Sequence, residues 1–283
     1  MKLYDKISLA VVSVLLSVFI FATVVSCVLN LTFCNKNYMI AVLERHDYYS
    51  LIYKEYTESI EDGIAIPAGV EPGILSNVVS QIEMKNQING IISAAYDSSV
   101  DNSSGFGYGD IEQKFYNSME AYFISKGFEF NEEVENDIKY VATHCADECK
   151  GYAEMPFIYT IGDYANDFQK VFTIVGFIAG TMIIFLVVLI SITKKWRSSA
   201  LLWSGISCMT AGLMVIIAPL YVLLTDVIGR LNIGVKSLYY FAIGYSTDLL
   251  YILISLGLAL IIISLVIGFK ILIYPLIKRN STK

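Results

Sequence analysis

The two histidines of the 283-residue sequence are the side chains best suited to acid–base chemistry. His46 and His144 have acidic neighbours, Asp47 next to one and Asp147 near the other. Because imidazole titrates near neutral pH, such a pair can supply a general base and a general acid. One hypothesis is therefore an enzyme that uses His46 and His144, and the other is two partly exposed histidines without a catalytic role.

Cys145 and Cys149 are four residues apart on a predicted helix, so they lie on one face of it. Four interpretations stay open: structural free thiols, a disulfide (local or with Cys34), a zinc site, or a redox or catalytic role. Zinc would need two more ligands. Closing so short a loop removes little unfolded-state entropy. We therefore expect serine at both positions to change stability little, provided the thiols are not deeply buried.

A calcium loop is suggested by the spacing of Asp101, Ser103 and Glu112, which match its first, third and twelfth positions. Gly105 and Phe106 stand where a ligand and then a glycine belong, so the match fails. The sequence also lacks the common phosphate-binding, zinc-protease and serine-hydrolase motifs. It predicts no metal and no cofactor.

Composition indicates an integral membrane protein with the lipid bilayer as its surroundings. Hydrophobic residues make up 55% of the chain and charged residues 16%, against roughly 25% charged in soluble domains. The apolar residues collect in four stretches, each reaching the roughly 20 residues that cross a bilayer. The predicted transmembrane helices are 7–33, 170–192, 200–224 and 249–271. Ionisable residues are almost absent from them, which disfavours a transporter or channel.

Lysine and arginine flank the stretches on one side, and such residues are retained in the cytoplasm. The predicted cytoplasmic segments are 1–6, 193–199 and the basic tail 272–283. We therefore expect a multi-pass protein of the cell membrane with both termini cytoplasmic. A lipobox-like sequence ends at Cys27, and processing there would remove the first span. The apolar run continues to Phe33, which argues against processing.

The segment 34–169 is predicted to be an acidic domain outside the cytoplasm. It contains 23 acidic and 8 basic residues, a net charge of −15. Such a surface disfavours nucleic acid and anionic headgroups and tolerates cations or basic partners. Apolar residues at helical spacing predict an all-α domain. The predicted helices are 38–62, 74–97, 110–125 and 132–150, with a loop at 98–109.

Local signals mark the helix ends and the contacts between spans. Asn131 is a predicted N-cap, and Gly127 and Gly151 are predicted terminators. The segment 225–248 is predicted to be a second outer loop that lies at the membrane interface. Close helix packing is predicted at small residues spaced four apart, namely Gly176, Gly180, Ser204 and Cys208.

The layout of one span, a large outer domain and three closely spaced spans resembles uncharacterised four-span membrane proteins of low-GC Gram-positive bacteria. Asp47-Tyr48-Tyr49 and Ile66-Pro67-Ala68-Gly69 carry the resemblance, which implies no activity. Bacterial lipoprotein intramolecular transacylases look similar in having four spans and outer histidines. Their sequence motifs are not matched around His46 and His144.

These observations favour a non-enzymatic anchor, sensor or partner-binding protein that acts through its outer domain. Its expected partner is a membrane or extracytoplasmic protein. The alternative is an enzyme that modifies the cell envelope or lipids and uses the two histidines. Sequence alone does not separate the two classes.

Overall fold

The structure, a computed structural model, describes residues 3–97, 108–129, 131–155, 158–192, 200–230 and 232–280. Within those ranges the regular secondary structure is entirely helical, which confirms the all-α prediction. The helices are α1 Leu3–Leu31, α2 Lys36–Arg45, α3 Tyr48–Ile60, α4 Gln81–Tyr96, α5 Tyr108–Ser125, α6 Glu132–Ala153, α7 Ile158–Ile192, α8 Ala200–Thr225 and α9 Lys236–Asn280. A π-helical turn, Glu61–Ala65, extends α3.

The chain divides into two compact units. The spanning unit comprises Met1–Asn35, Asp167–Leu231 and Ile243–Lys283. The acidic unit comprises Lys36–Asn166 and Asn232–Ala242. Each of the long helices α7 and α9 contributes residues to both units.

Four helices of the described chain are long and apolar enough to cross a membrane, namely α1, α7, α8 and α9. This confirms the predicted number of spans. Large apolar side chains on their surfaces are strongly exposed, as Phe177 is at 75% and Ile184 at 68%. Lipid-facing residues have this character, because the spanning helices need not hide apolar side chains from a bilayer.

Two of the spanning helices are longer than the predicted spans. α8 covers nearly the predicted residues, and the predicted cytoplasmic loop 193–199 lies outside the described residues. α7 and α9 begin well before the predicted starts at 170 and 249. Apolar composition marks only the part of a helix that suits lipid, whereas helical hydrogen bonding continues into the polar flank. The first turns of α9 therefore occupy part of the predicted 225–248 loop.

A pair of serines joins α1 to α8 in the spanning unit. Their hydroxyl oxygens lie 2.8 Å apart, and Ser207 also donates to the backbone carbonyl of Ser13 at 3.0 Å. Both side chains are buried. In an apolar medium a hydroxyl without a partner is costly, so this pair favours one register of α1 against α8.

Glycines bring α8 and α9 into backbone contact. A Cβ atom on Gly212 would lie 2.7 Å from the carbonyl oxygen of Gly257, and one on Gly257 would lie 2.9 Å from that of Gly212. The pair leaves no pattern in the sequence, because its members lie on different spans.

The small residues that the sequence singled out occupy varied places. Gly176 approaches Ser26 of α1, with 3.5 Å from its hypothetical Cβ to the serine Cβ, whereas Gly180 has open space beside it. Ser204 and Cys208 are both partly exposed.

In the acidic unit the predicted helix 38–62 is two helices. α2 ends at Arg45 and α3 begins at Tyr48, because Asp47 adopts a left-handed backbone conformation with φ of 53°. A single residue in this conformation breaks helical hydrogen bonding. The break reorients the chain so that α3 presents Tyr48, Ile52 and Tyr56 to the core.

Capping residues fix the ends of the later helices. Ser80 and Glu83 form a reciprocal capping box at the start of α4. The Asn131 side chain accepts a hydrogen bond from the Val134 amide, as predicted for an N-cap. Gly127 follows α5 with φ of +79°, the conformation that a helix terminator requires. The predicted end of α6 at Gly151 is wrong, since the helix continues to Ala153.

Candidate functional site

An open groove of about 800 Å³ lies within the acidic unit. Its walls are the exposed face of α3 with the π-helical turn, the C-terminal part of α6, and the segment 234–238 at the start of α9. Its volume is within the range of ligand-binding clefts in proteins.

The walls are strongly acidic. Three carboxylates come from α3 and the π-helical turn, and two from α6 and the residue that follows it: Glu55, Glu58, Asp62, Glu148 and Glu154. Among the described residues that line the groove, Lys236 is the one base. The groove therefore has a negative potential that attracts positive charge.

Two of the carboxylates are held by hydroxyl groups. Glu55 accepts hydrogen bonds from the backbone amide of Ser237 at 3.1 Å and from its hydroxyl at 2.7 Å. This carboxylate thereby satisfies an amide in the first turn of α9, where a negative charge is favourable. Ser59 donates to Glu148 at 2.5 Å, which links the α3 wall to the α6 wall.

The other carboxylates are less constrained. Glu58 lies 3.8 Å from Lys54 and Glu154 lies 4.0 Å from Lys150, and all four side chains are more than two-fifths exposed. Exposed pairs of this length contribute little energy. A positively charged ligand could therefore replace Lys54 beside Glu58 at small cost.

Aromatic and aliphatic side chains complete the lining. Tyr48 is 1% exposed and packs edge-to-face against Phe241, with ring centroids 5.9 Å apart. Burial, and secondarily the charge of Glu55, raise the pKa of the Tyr48 phenol well above its usual range. Tyr152 packs against Tyr56 in the same way, with centroids 6.2 Å apart. Tyrosine faces can interact with ammonium and guanidinium groups.

The described acidic groups of the groove do not form a metal site. No set of three histidine, cysteine or carboxylate side chains in the described part of the chain is placed to share one metal ion. A small, highly charged cation needs several oxygen ligands around one point.

Cys145 and Cys149 are free thiols, and each is 0% exposed. Burial, as the largest cause, raises the pKa of both thiols to about 12. Since the thiolate is the reactive form, both are poor nucleophiles at neutral pH. Cys34, the third thiol considered, is also free and buried. This arrangement favours the interpretation of structural thiols.

The two histidines do not contribute to the groove. His144 is exposed on α6, with its ring 4.4 Å from that of Tyr140, and His46 lies between α2 and α3. Neither lines the groove. Of the calcium-loop residues, Asp101 and Ser103 lie outside the described residues, and Glu112 accepts a hydrogen bond from Thr143 at 2.9 Å.

No protein-family model, curated protein or solved structure matches this chain. The chemistry of the groove is therefore judged from its own residues. A signal for one wall was present in the sequence, because Glu55, Glu58 and Asp62 recur at helical spacing. No pattern in the sequence indicated that Glu148 and Glu154 would lie opposite them.

Proposed function

We propose that this chain is a non-enzymatic, multi-pass protein of the cell membrane that binds a protein partner through its acidic unit. Both termini face the cytoplasm, and the acidic unit lies outside it. The groove carries the proposal, because it combines a ligand-sized volume with negative charge and aromatic walls. The four apolar helices and the flanking lysines and arginines support the membrane location and the orientation.

The described geometry supports binding more than catalysis. The groove contains no histidine, and the two buried thiols have raised pKa values. Four of its five carboxylates are engaged with serine hydroxyls or lysines. A catalytic site would normally place a base beside a nucleophile.

Site-specific photocrosslinking in living cells tests this function. A photoreactive residue at Val235, which lines the groove and is 40% exposed, should form an adduct with the partner. The same residue at Ile82, which is 72% exposed on α4 outside the groove, should not. Equal adducts at both positions, or none at Val235, would contradict the proposal.

Alanine at His46 and at His144 separates binding from the enzymatic alternative. If the acidic unit only binds a partner, both variants should give the wild-type adduct and support the phenotype that the intact gene confers. Loss of the phenotype in a folded variant that still forms the adduct would indicate catalysis instead.

A further inference from the structure

The groove combines features that select one class of ligand within the proposed function. We infer that it binds an extended segment of the partner in which lysine or arginine occupies alternate positions. This inference rests on the proposed function and specifies the chemistry of the bound segment.

Carboxylates on the α3 wall are spaced like the same-face side chains of an extended peptide. Glu58 and Asp62 are four residues apart, which corresponds to roughly 5–6 Å along the axis that runs from the last turn of α3 into the π-helical turn. In an extended peptide, side chains on the same face are two residues apart, which is about 6.6 Å. Alternate basic residues can therefore meet successive carboxylates on this wall.

The opposite wall offers a second row of contacts. Glu148 and Glu154 belong to α6 and its C-terminal cap. Tyr152 and the aliphatic Leu238 also line the groove. These apolar groups can pack against the methylene stems of lysine or arginine while the charged ends reach the carboxylates.

The distribution of charge along this chain indicates that the bound basic segment belongs to a different protein. The segment 34–169 has a net charge of −15, and the clustered lysines and arginines fall in the segments predicted to be cytoplasmic. A second copy would therefore bring another acidic surface to the groove, and like charges repel. Charge complementarity points instead to a basic segment of a different protein.

Fluorescence anisotropy with the full-length protein in uncharged detergent tests the inference. The probe is a labelled peptide that alternates lysine with serine, and the comparison peptide has the same composition with its lysines in one block. We expect the alternating peptide to bind more tightly than the block peptide. Binding should also weaken as the salt concentration rises.

Two triple variants form a matched pair. The groove variant carries Glu58→Gln, Asp62→Asn and Glu154→Gln, and should raise the Kd of the alternating peptide about tenfold, equivalent to about 1.4 kcal/mol. The control variant removes the same charge at exposed carboxylates outside the groove, through Glu129→Gln, Glu133→Gln and Asp137→Asn. It should change the Kd by less than about twofold, because screening weakens distant charges.

Several outcomes would overturn the inference. They are equal binding of the two peptides, equal losses in the two triple variants, or displacement of the peptide by calcium or spermidine at lower concentrations than unlabelled peptide requires. Circular dichroism must show that both variants retain the wild-type helix content and melting temperature. If the groove variant misfolds, Glu58→Gln alone replaces it, and unchanged binding would then refute the inference. Photocrosslinking at Val235 without peptide binding would reject the ligand class and leave the proposed function standing.

Discussion

Replacing Gly212 by alanine should destabilise the spanning unit, because this glycine lets α8 touch the backbone of α9. The added Cβ atom would lie 2.7 Å from the Gly257 oxygen, 2.9 Å from Ile261 Cγ1 and 3.2 Å from Leu260 Cβ. Two of these three atoms are closer than real Cβ contacts allow, and one is a backbone oxygen that cannot move alone. The helices must therefore separate.

The expected cost of this overpacking is about 1–3 kcal/mol. In a unit of this size, each kcal/mol corresponds to about 2–4 °C in melting temperature. Thermal unfolding of the purified protein, followed by circular dichroism, should therefore show a decrease of about 2–12 °C.

Gly268→Ala, on the neighbouring helix α9, is the control, because no atom outside its own helix backbone lies within 4 Å of its hypothetical Cβ. It should leave the melting temperature unchanged or raise it slightly, since alanine is favoured over glycine in helices by up to about 1 kcal/mol. A Gly212→Ala protein as stable as the wild type would refute the close contact. Equal losses in both variants would mean that the contact is not specific.

Three further predictions concern the acidic unit and the topology. The pKa of Glu83 is lowered to about 2, and its hydrogen bond with Lys114 is the largest cause. The ionised carboxylate therefore contributes to stability above the ordinary pKa of 4.5, and this contribution is lost as pH falls towards 2. Glu83→Gln should make unfolding midpoints measured across this range less dependent on pH, with an effect below about 1 kcal/mol because both side chains are two-fifths exposed or more. Serine at Cys145 and Cys149 should cost about 1–3 kcal/mol per site in chemical denaturation, since each hydroxyl would be buried, whereas alanine at both should cost less than serine. The third prediction uses a protein in which alanine replaces the native cysteines and Ser198→Cys is the one thiol. This thiol should react with a membrane-impermeant maleimide only after the cells are permeabilised. Reaction in intact cells would show that the orientation is the reverse.

Burial decides one expectation that the sequence left conditional. Serine at Cys145 and Cys149 was expected to be nearly neutral only if the thiols were not deeply buried, and both are fully buried. Helical spacing indicated that they share a face of α6, but it did not reveal how tightly other helices cover that face. Tyr56 lies near them and is also 0% exposed, and within the described chain its hydroxyl has no hydrogen-bond partner. Such an uncompensated group cannot be anticipated from composition.

The sequence was most informative where a local rule decides the structure. The length of the apolar stretches predicted the four spanning helices. The N-cap at Asn131 was predictable because an asparagine side chain can bond the amides that follow it in the chain. Contacts between distant residues were not predictable in this way. The glycine pair of α8 and α9, and the serine of α9 that binds Glu55, depend on how helices far apart in sequence pack. The groove also depends on contacts between distant residues, so the sequence indicated only one of its walls.

The hydrogen bond between Ser13 and Ser207 has a consequence for the order of events during synthesis. Its partners are 194 residues apart, so at about 5–20 residues per second the ribosome needs about 10–40 s to produce the second serine after the first. During that interval α1 is already available for membrane insertion, while its partner helix does not yet exist. The Ser13 hydroxyl must then be accommodated by lipid or by the insertion machinery. The hydroxyl that joins α1 to α8 in the folded protein is thus unfavourable for membrane insertion of α1 until α8 has been synthesised.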